Sequence, residues 1–282
     1  MRWLLLPLLA LALLAPRAEC PVRPLIQGPP LQGVGTQGTG TVAGTAPELL
    51  IPPLRAGHPL APLGTDRAGR DAACLLGRGL ARSLLVSLSV LALGVLPGLA
   101  LGLWLAWRPW LAPPGEVMVL LALVLLLGRD AFQLVLALGV ALLTARLVAV
   151  RAGAVLREPF VEGALALGAA PRHILTRHLW PHLRPGLPAV LATVLSSVFV
   201  WLMELGALGF HDQPVLSVAL TDSNDRTQDV LALPLNADLG QLISFFRWTW
   251  LDTPEQLVWP VLLLTGLTLA LKDVARRAAP RG

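Results

Sequence analysis

Charge is scarce in this chain. Of its 282 residues only 14% are Asp, Glu, Lys or Arg, against about 25% in soluble domains, while 55% are hydrophobic and the mean hydropathy is +0.69. That balance places the protein in a bilayer. Lysine is nearly missing: Lys272 stands alone and is followed by Asp273. No G-x-x-x-x-G-K-[ST] occurs, so the chain carries no phosphate-cradling loop, and any nucleotide-driven work must come from another polypeptide. A nucleophile elbow, an H-E-x-x-H and a cysteine–histidine metal spacing are missing too, so no catalytic, cofactor-binding or metal residue is assigned. The formal net charge is +5, but the arginines cluster at the ends of apolar runs without interleaved aromatics, which argues against nucleic acid. Cysteine is limited to Cys20 and Cys74. Nothing in their spacing demands a bridge, so two unpaired thiols are expected, with a disulfide as the alternative.

What is present is a series of apolar runs. Residues 1–17 form a first transmembrane span or an uncleaved signal-like segment. Met1 to Ala15 reaches only about 22 Å as a helix against a core of about 30 Å, yet Pro16-Arg17-Ala18-Glu19-Cys20 lacks a clean small-x-small cleavage site, so a short retained span is favoured. Residues 18–82 read as an extracytoplasmic Pro/Gly-rich loop, too poor in apolar residues to offset its ordering entropy. Ser83 to Trp107 is the cleanest span, with Pro97 and Gly98 as a kink and Trp104, Trp107 and Trp110 as an interfacial belt. Further spans are expected near 114–128, 131–150, 187–210 and 257–271. The first two of these form either two spans or a re-entrant hairpin around Gly128-Arg129-Asp130.

Between the runs that end near Val150 and begin near Leu187 lies an amphipathic segment, Glu162 to Pro181, EGALALGAAPRHILTRHLWP. Pro159 starts a short helix, Gly168 and Pro171 interrupt it, and a second helix carrying Ile174, Leu175 and Leu179 runs until Pro181 stops it. Two short helices joined by a glycine turn and ringed with arginine make a docking knob. Arg151, Arg157, Arg172, Arg177 and Arg184 share a side with the basic C-terminus, whereas residues 211 to 255 are acidic. The rule that short arginine-rich loops stay inside makes residues 151–184 and the C-terminus cytoplasmic.

These residues carry a resemblance. Glu162, Ala164, Gly168 and Pro181 fall where the coupling loop of ABC-importer permeases has glutamate, alanine, glycine and proline, and Arg177-His178-Leu179 is similar to the pattern of its dipeptide and oligopeptide branch. Gly163 replaces the usual middle alanine, and Trp180 stands where leucine is usual. Upstream, His58-Pro59-Leu60 and Leu63 to Asp71 (LGTDRAGRD) resemble the HPLGTDxxGRD signature of permeases of the dipeptide, oligopeptide and nickel class, with Ala61-Pro62 inserted. The resemblance covers residues 58 to 282. It implies an all-α, polytopic transmembrane helical bundle of the type I ABC importer (MetI-like) kind, with about six spans and a cytoplasmic coupling helix.

The site residues follow from these motifs. Glu162, Gly163, Ala164, Gly168, Ile174 and Pro181 would couple to an ATPase subunit, with Ile174 and Leu175 as an apolar ridge. Thr65, Asp66, Gly69, Arg70 and Asp71 form the extracytoplasmic motif, in which Asp66, Arg70 and Asp71 pair with one another and with backbone amides. Glu204 lies inside a span and is either a pathway residue or an interfacial carboxylate. Ser244 to Trp250, SFFRWTW, reads as an interfacial helix or turn. The resemblance further implies a second homologous permease subunit, two ATP-binding-cassette subunits that bind the ATP, and an extracytoplasmic substrate-binding protein. The expected function is movement of peptides or a related small solute across the cytoplasmic membrane, without catalysis by this chain. Alternatives are a membrane-embedded enzyme using Glu204, His211 and Asp212, and a non-transporting permease-like assembly subunit.

Overall fold

The computed structural model describes Cys20, residues 26–27, 48–49, 54–57, 59, 61–66, 68–108, 123, 126–127, 131–210, 215–220, 229–234, 237–247, 250–251 and 253–279. The expected spans at 1–17 and 114–128 lie outside this set, apart from isolated residues of the second. Four of the described helices are long and apolar enough to cross a membrane: α1 (Ala72–Ala106), α2 (Phe132–Leu156), α4 (Pro171–Ala207) and α6 (Pro254–Ala278). Two shorter helices, α3 (Pro159–Ala166) and α5 (Leu239–Phe246), sit at opposite ends of the bundle. The described residues are mostly helical, as expected. Two antiparallel strand pairs accompany the helices: β1 (Ile26–Gln27) with β2 (Glu48–Leu49), and β3 (Val215–Leu220) with β4 (Asp229–Pro234), the latter in register from Val215 opposite Pro234 to Leu220 opposite Asp229.

α1 begins at Ala72, eleven residues before the expected start at Ser83. The TDxxGRD motif causes the difference. Asp71 is the N-cap, and its carboxylate accepts from the Ala73 amide at 2.8 Å, a cap usually worth about 1 kcal/mol. Helix therefore starts well outside the charge-free stretch, and Arg78 and Arg82 ride on its outer turns. At 35 residues α1 is about 52 Å long. It runs through Pro97 and packs along α2. The contact is made backbone to backbone: a Cβ added at Gly94, Gly98 or Gly102 would lie 2.5, 2.7 or 2.6 Å from the carbonyl oxygens of Ala137, Ala141 and Ala145. Small residues four apart on both helices permit this approach, and close van der Waals packing is what joins helices in lipid.

The expectation that Pro181 stops the second knob helix is overturned. From Pro171 the chain passes through a π-helical stretch at Ile174–Leu179, an α-turn at Trp180–Leu183 and a 3₁₀ turn at Arg184–Gly186 into Leu187–Ala207, and never leaves helix. Proline removes an N–H and crowds the preceding turn. Here Pro181, Pro185 and Pro188 each fall in the first turn of a new pitch, so widening to π and tightening to 3₁₀ accommodate them without a break. α4 ends in a Schellman arrangement: Gly209 has φ +84° and donates to Gly206 O at 2.9 Å, and Phe210 donates to Leu205 O at 2.8 Å.

The bundle consists of two helix pairs, α1 with α2 and α4 with α6. One apolar core joins them, with Phe132, Leu136, Phe199, Leu202 and Leu264 among its fully buried members. At the end where α1 begins, α5 is wedged between α1, α4 and α6. Asp238 caps it by accepting from Gln241 N at 2.6 Å, and Ser83 Oγ accepts from Leu239 N at 2.9 Å. Ser244 and Phe246 are buried there, which corrects the expectation of an interfacial helix at Ser244–Trp250. Seven of the eight α5 residues are buried, because neighbours surround it on every side rather than lipid on one. Beyond it, Trp250 and Leu251 are exposed.

Cys20 and Cys74 form a disulfide, with Cα atoms 5.7 Å apart, so the expectation of two unpaired thiols is also overturned. Helix α1 carries Cys74 in its first turn, and the bridge ties Cys20 to that end of the bundle.

Candidate coupling surface and outer clasp

The knob is built as the sequence implies, up to its second helix. Pro159 occupies the first turn of α3, where a missing N–H costs nothing. Gly168 ends it at φ +80°, with Gly168 N donating to Leu165 O at 2.9 Å and Ala169 N to Ala164 O at 3.0 Å. Only glycine adopts that backbone freely. Pro171 then opens α4.

Which residues face outward differs from expectation at the apolar ridge. Ile174 is 0% exposed and Leu175 is half-buried, so they do not form the outer ridge. Ile174 instead lies with Val161, Leu179 and Leu183 among the buried residues that hold the knob to its own bundle. Val148, Ala152, Leu179 and Leu183 form an apolar cluster at this end, and Arg151 Nη1 donates to Gly186 O at 3.0 Å. Phe160 stacks on His182 at 5.5 Å and tilts against His178 at 5.8 Å. The outward face comprises Glu162, Gly163, Gly168 and Pro181, flanked by Arg172 and Arg177, with apolar surface from Leu165, Leu167 (91% exposed) and Trp180. Ala164 is half-buried. The Glu162 carboxylate makes no hydrogen bond or ion pair among the described residues and is open to a partner. Trp180, a departure from the family pattern, was the visible signal for the apolar part of this face.

At the opposite end the TDxxGRD residues close on themselves. Asp66 Oδ1 accepts from the amides of Ala68 at 2.9 Å and Arg70 at 2.8 Å, while Oδ2 meets Arg70 Nε and Nη2, each at 2.7 Å. Thr65 bridges to Asp71, Thr65 Oγ1 accepts from Leu54 N at 2.9 Å, and Gly64 and Gly69 turn the chain at positive φ. The expected pairing of Asp66 with Arg70 is present. Asp71 also caps α1 through the Ala73 amide. Two residues that sequence reasoning missed complete the arrangement: Glu255 Oε1 accepts from Ala56 N at 3.0 Å, and the Gln256 side-chain amide donates to the Thr65 carbonyl. Gln256 is 1% exposed. Both lie in the first turn of α6, nearly 200 residues away, where no local signal marked them.

Glu204 is exposed on α4, one turn before its end, and has no partner among the described residues. His211 and Asp212 lie outside the described set, so their approach to Glu204 is not part of the geometry. No group of three His, Cys, Asp or Glu residues with metal-holding geometry occurs among the described residues.

No family model matches the chain. A curated relative, the di/tripeptide transport system permease protein DppC of Pseudomonas aeruginosa (strain UCBPP-PA14), is 27% identical over 208 residues, which cover 66% of this chain and 69% of that protein. Among solved structures, a chain of the MetNI methionine ABC transporter in inward-facing conformations aligns at a TM-score of 0.47 and 19% identity, over 73% of this chain and 97% of that one. The permease relative supports the family drawn from the coupling-loop and TDxxGRD residues, an inner-membrane permease of the ABC-importer type.

Proposed function

We propose that this chain is the transmembrane permease subunit of an ABC importer, moving peptides or a related small solute inward while ATP is hydrolysed on separate subunits. One observation carries the mechanism: the first knob helix, which ends at Gly168, leads through Pro171 into a helix that does not break until Ala207. At 37 residues, α4 is a lever about 55 Å long. A force applied to the exposed Glu162, Leu165, Leu167 and Trp180 surface is delivered to the α4–α6 pair by rigid helix, and tilting of that pair alternates access between the two faces.

Partners follow from what the chain lacks. With no phosphate loop of its own, it takes its energy from two ATP-binding-cassette subunits that bind ATP and dock on the knob. A homologous permease forms the other half of the pore, and Glu204 on the exposed face of α4 looks toward that pore. An extracytoplasmic binding protein delivers the solute and sets its identity. Two features support the orientation. The Cys20–Cys74 disulfide suits an oxidising compartment at the start of α1. The arginines at positions 151, 157, 172, 177 and 184 suit a cytoplasmic knob.

The test is co-expression with candidate ATPase and partner permease subunits, followed by reconstitution and uptake of labelled di- and tripeptides. ATP-dependent accumulation is expected. Purification with no bound ATPase, or labelling of Arg172→Cys and Arg177→Cys only from outside the cell, would refute the assignment.

A further inference from the structure

Within the membrane α1 lies along α2 and α6 along α4, so α1 and α6 belong to different helix pairs. Their outer ends are nonetheless fastened together. The 54–71 loop is folded around the Asp66 carboxylate and runs directly into α1 through the Asp71 cap. Two consecutive residues of α6 grip that same loop at separate points, Glu255 on the Ala56 amide and Gln256 on the Thr65 carbonyl. Both of these links end on a backbone group of the loop, so the loop cannot slide along α6 without losing them. The Gln256 link is buried from water, where an unmade hydrogen bond is expensive. Thr253, just before α6, is buried as well.

We infer that this clasp is the pivot of the transport cycle: the outer ends of α1 and α6 stay joined in both the inward- and outward-open states, and the pairs swing about that point. The inference rests on the permease reading. A knob at one end of the bundle and a fixed joint at the other convert movement at the inner face into rotation of α4 and α6, with the largest displacement at their inner ends. Gln256 is on this account a positioning residue. It touches no solute, and it holds the axis about which the pore opens.

Two experiments on the reconstituted complex decide it. In the first, Ala56→Cys and Glu255→Cys are combined and bridged with a short bifunctional thiol reagent; the native cysteines are already bonded and do not compete. If the joint stays closed through the cycle, the bridged protein takes up labelled peptide at the rate of the two single-cysteine variants treated alike, whereas loss of uptake on bridging overturns the inference. In the second, Gln256→Met keeps the volume and removes the donor. Losing a buried hydrogen bond weakens the closed joint against its opened form by about tenfold, in both states of the cycle alike, so uptake at equal membrane level is expected to fall, by up to that factor, while the ATPase activity of the complex persists. Unchanged uptake, or a fall matched by an equal fall in the amount of folded protein, counts against the pivot. If the unmodified complex itself moves no solute, the permease reading fails first and takes the pivot with it.

Discussion

Gly206 and Gly240 meet backbone to backbone: a Cβ on Gly206 would stand 2.3 Å from the Gly240 carbonyl oxygen, and one on Gly240 would stand 2.3 Å from Leu202 O. This contact seats α5 against the last turns of α4. The Arg247 guanidinium, just past α5, donates to Ala207 O, placing a cation on the C-terminal carbonyls of α4, where the helix dipole favours it. Gly206→Ala is therefore expected to destabilise the protein by about 1–3 kcal/mol, the usual cost of overpacking. Gly266→Ala in α6, whose Cβ meets nothing within 4 Å, is expected to be neutral or slightly stabilising. Thermal unfolding in detergent compares the two, and equal midpoints would show that the close approach is not required.

The α1–α2 seam gives a parallel expectation in the middle of the membrane. Gly98→Ala places a methyl 2.7 Å from Ala141 O and from Thr144 Cβ, and the neighbouring contacts at Gly94 and Gly102 prevent the helices from separating at one point alone. A cost of about 1–3 kcal/mol is expected. Gly77→Ala, on the same helix with an open Cβ position, is the control. A Gly98→Ala protein that unfolds with the Gly77→Ala midpoint would mean that the seam is looser than its geometry implies.

Much of this was legible in the chain, and the rest was hidden for identifiable reasons. The long apolar runs marked the membrane helices, and Pro159, Gly168 and Pro171 marked the knob, because each acts through its own backbone. The spacing of Gly94, Gly98 and Gly102 was visible too, but its meaning depended on Ala137, Ala141 and Ala145 facing it from another helix. Helix ends were misplaced where charge was read as a boundary: Arg78 and Arg82 belong to α1, so the membrane edge and the helix edge are different places. The fate of Pro181 was obscured because proline blocks an α-turn but tolerates a change of pitch. Ile174 was assigned to the surface since an amphipathic pattern says which residues share a face, not whether that face meets the chain's own bundle or a partner. Gln256 and the disulfide are long-range pairings, for which a single sequence carries no local signature.

The disulfide should matter for both stability and topology. Its half-cystines are separated by 54 residues, and closing a loop of that size restricts the unfolded chain by about 4 kcal/mol in the chain-entropy account. Cys74→Ser, or reduction of the intact protein, is expected to lower the unfolding midpoint by an amount corresponding to at most that value. In intact cells, Cys20 freed by Cys74→Ser should react with a membrane-impermeant thiol reagent added outside. Reaction only after the membrane is made permeable would place the start of α1 on the inner side and reverse the orientation proposed above.

Glu162 and Gly168 separate folding from coupling most cleanly. Gly168 adopts φ +80° and donates its N–H to Leu165 O; proline allows neither, so Gly168→Pro must rebuild the turn, while Gly168→Ala keeps the N–H and bears only the left-handed penalty of about 1–2 kcal/mol. Glu162 is different, being exposed and without a partner among the described residues. Glu162→Lys reverses a charge in the first turn of α3, where the helix dipole favours an anion, and should therefore cost about 1 kcal/mol or less, so a larger effect on transport must arise at a surface outside this chain. In the reconstituted complex, Glu162→Lys is expected to leave the permease folded and membrane-inserted while solute uptake collapses relative to ATP hydrolysis. Gly168→Ala should fall between Glu162→Lys and Gly168→Pro in stability, and should lose uptake only as far as the turn is displaced. Full uptake by Glu162→Lys would mean that the motor docks elsewhere, and the exposed Leu165, Leu167 and Trp180 surface would then need another occupant.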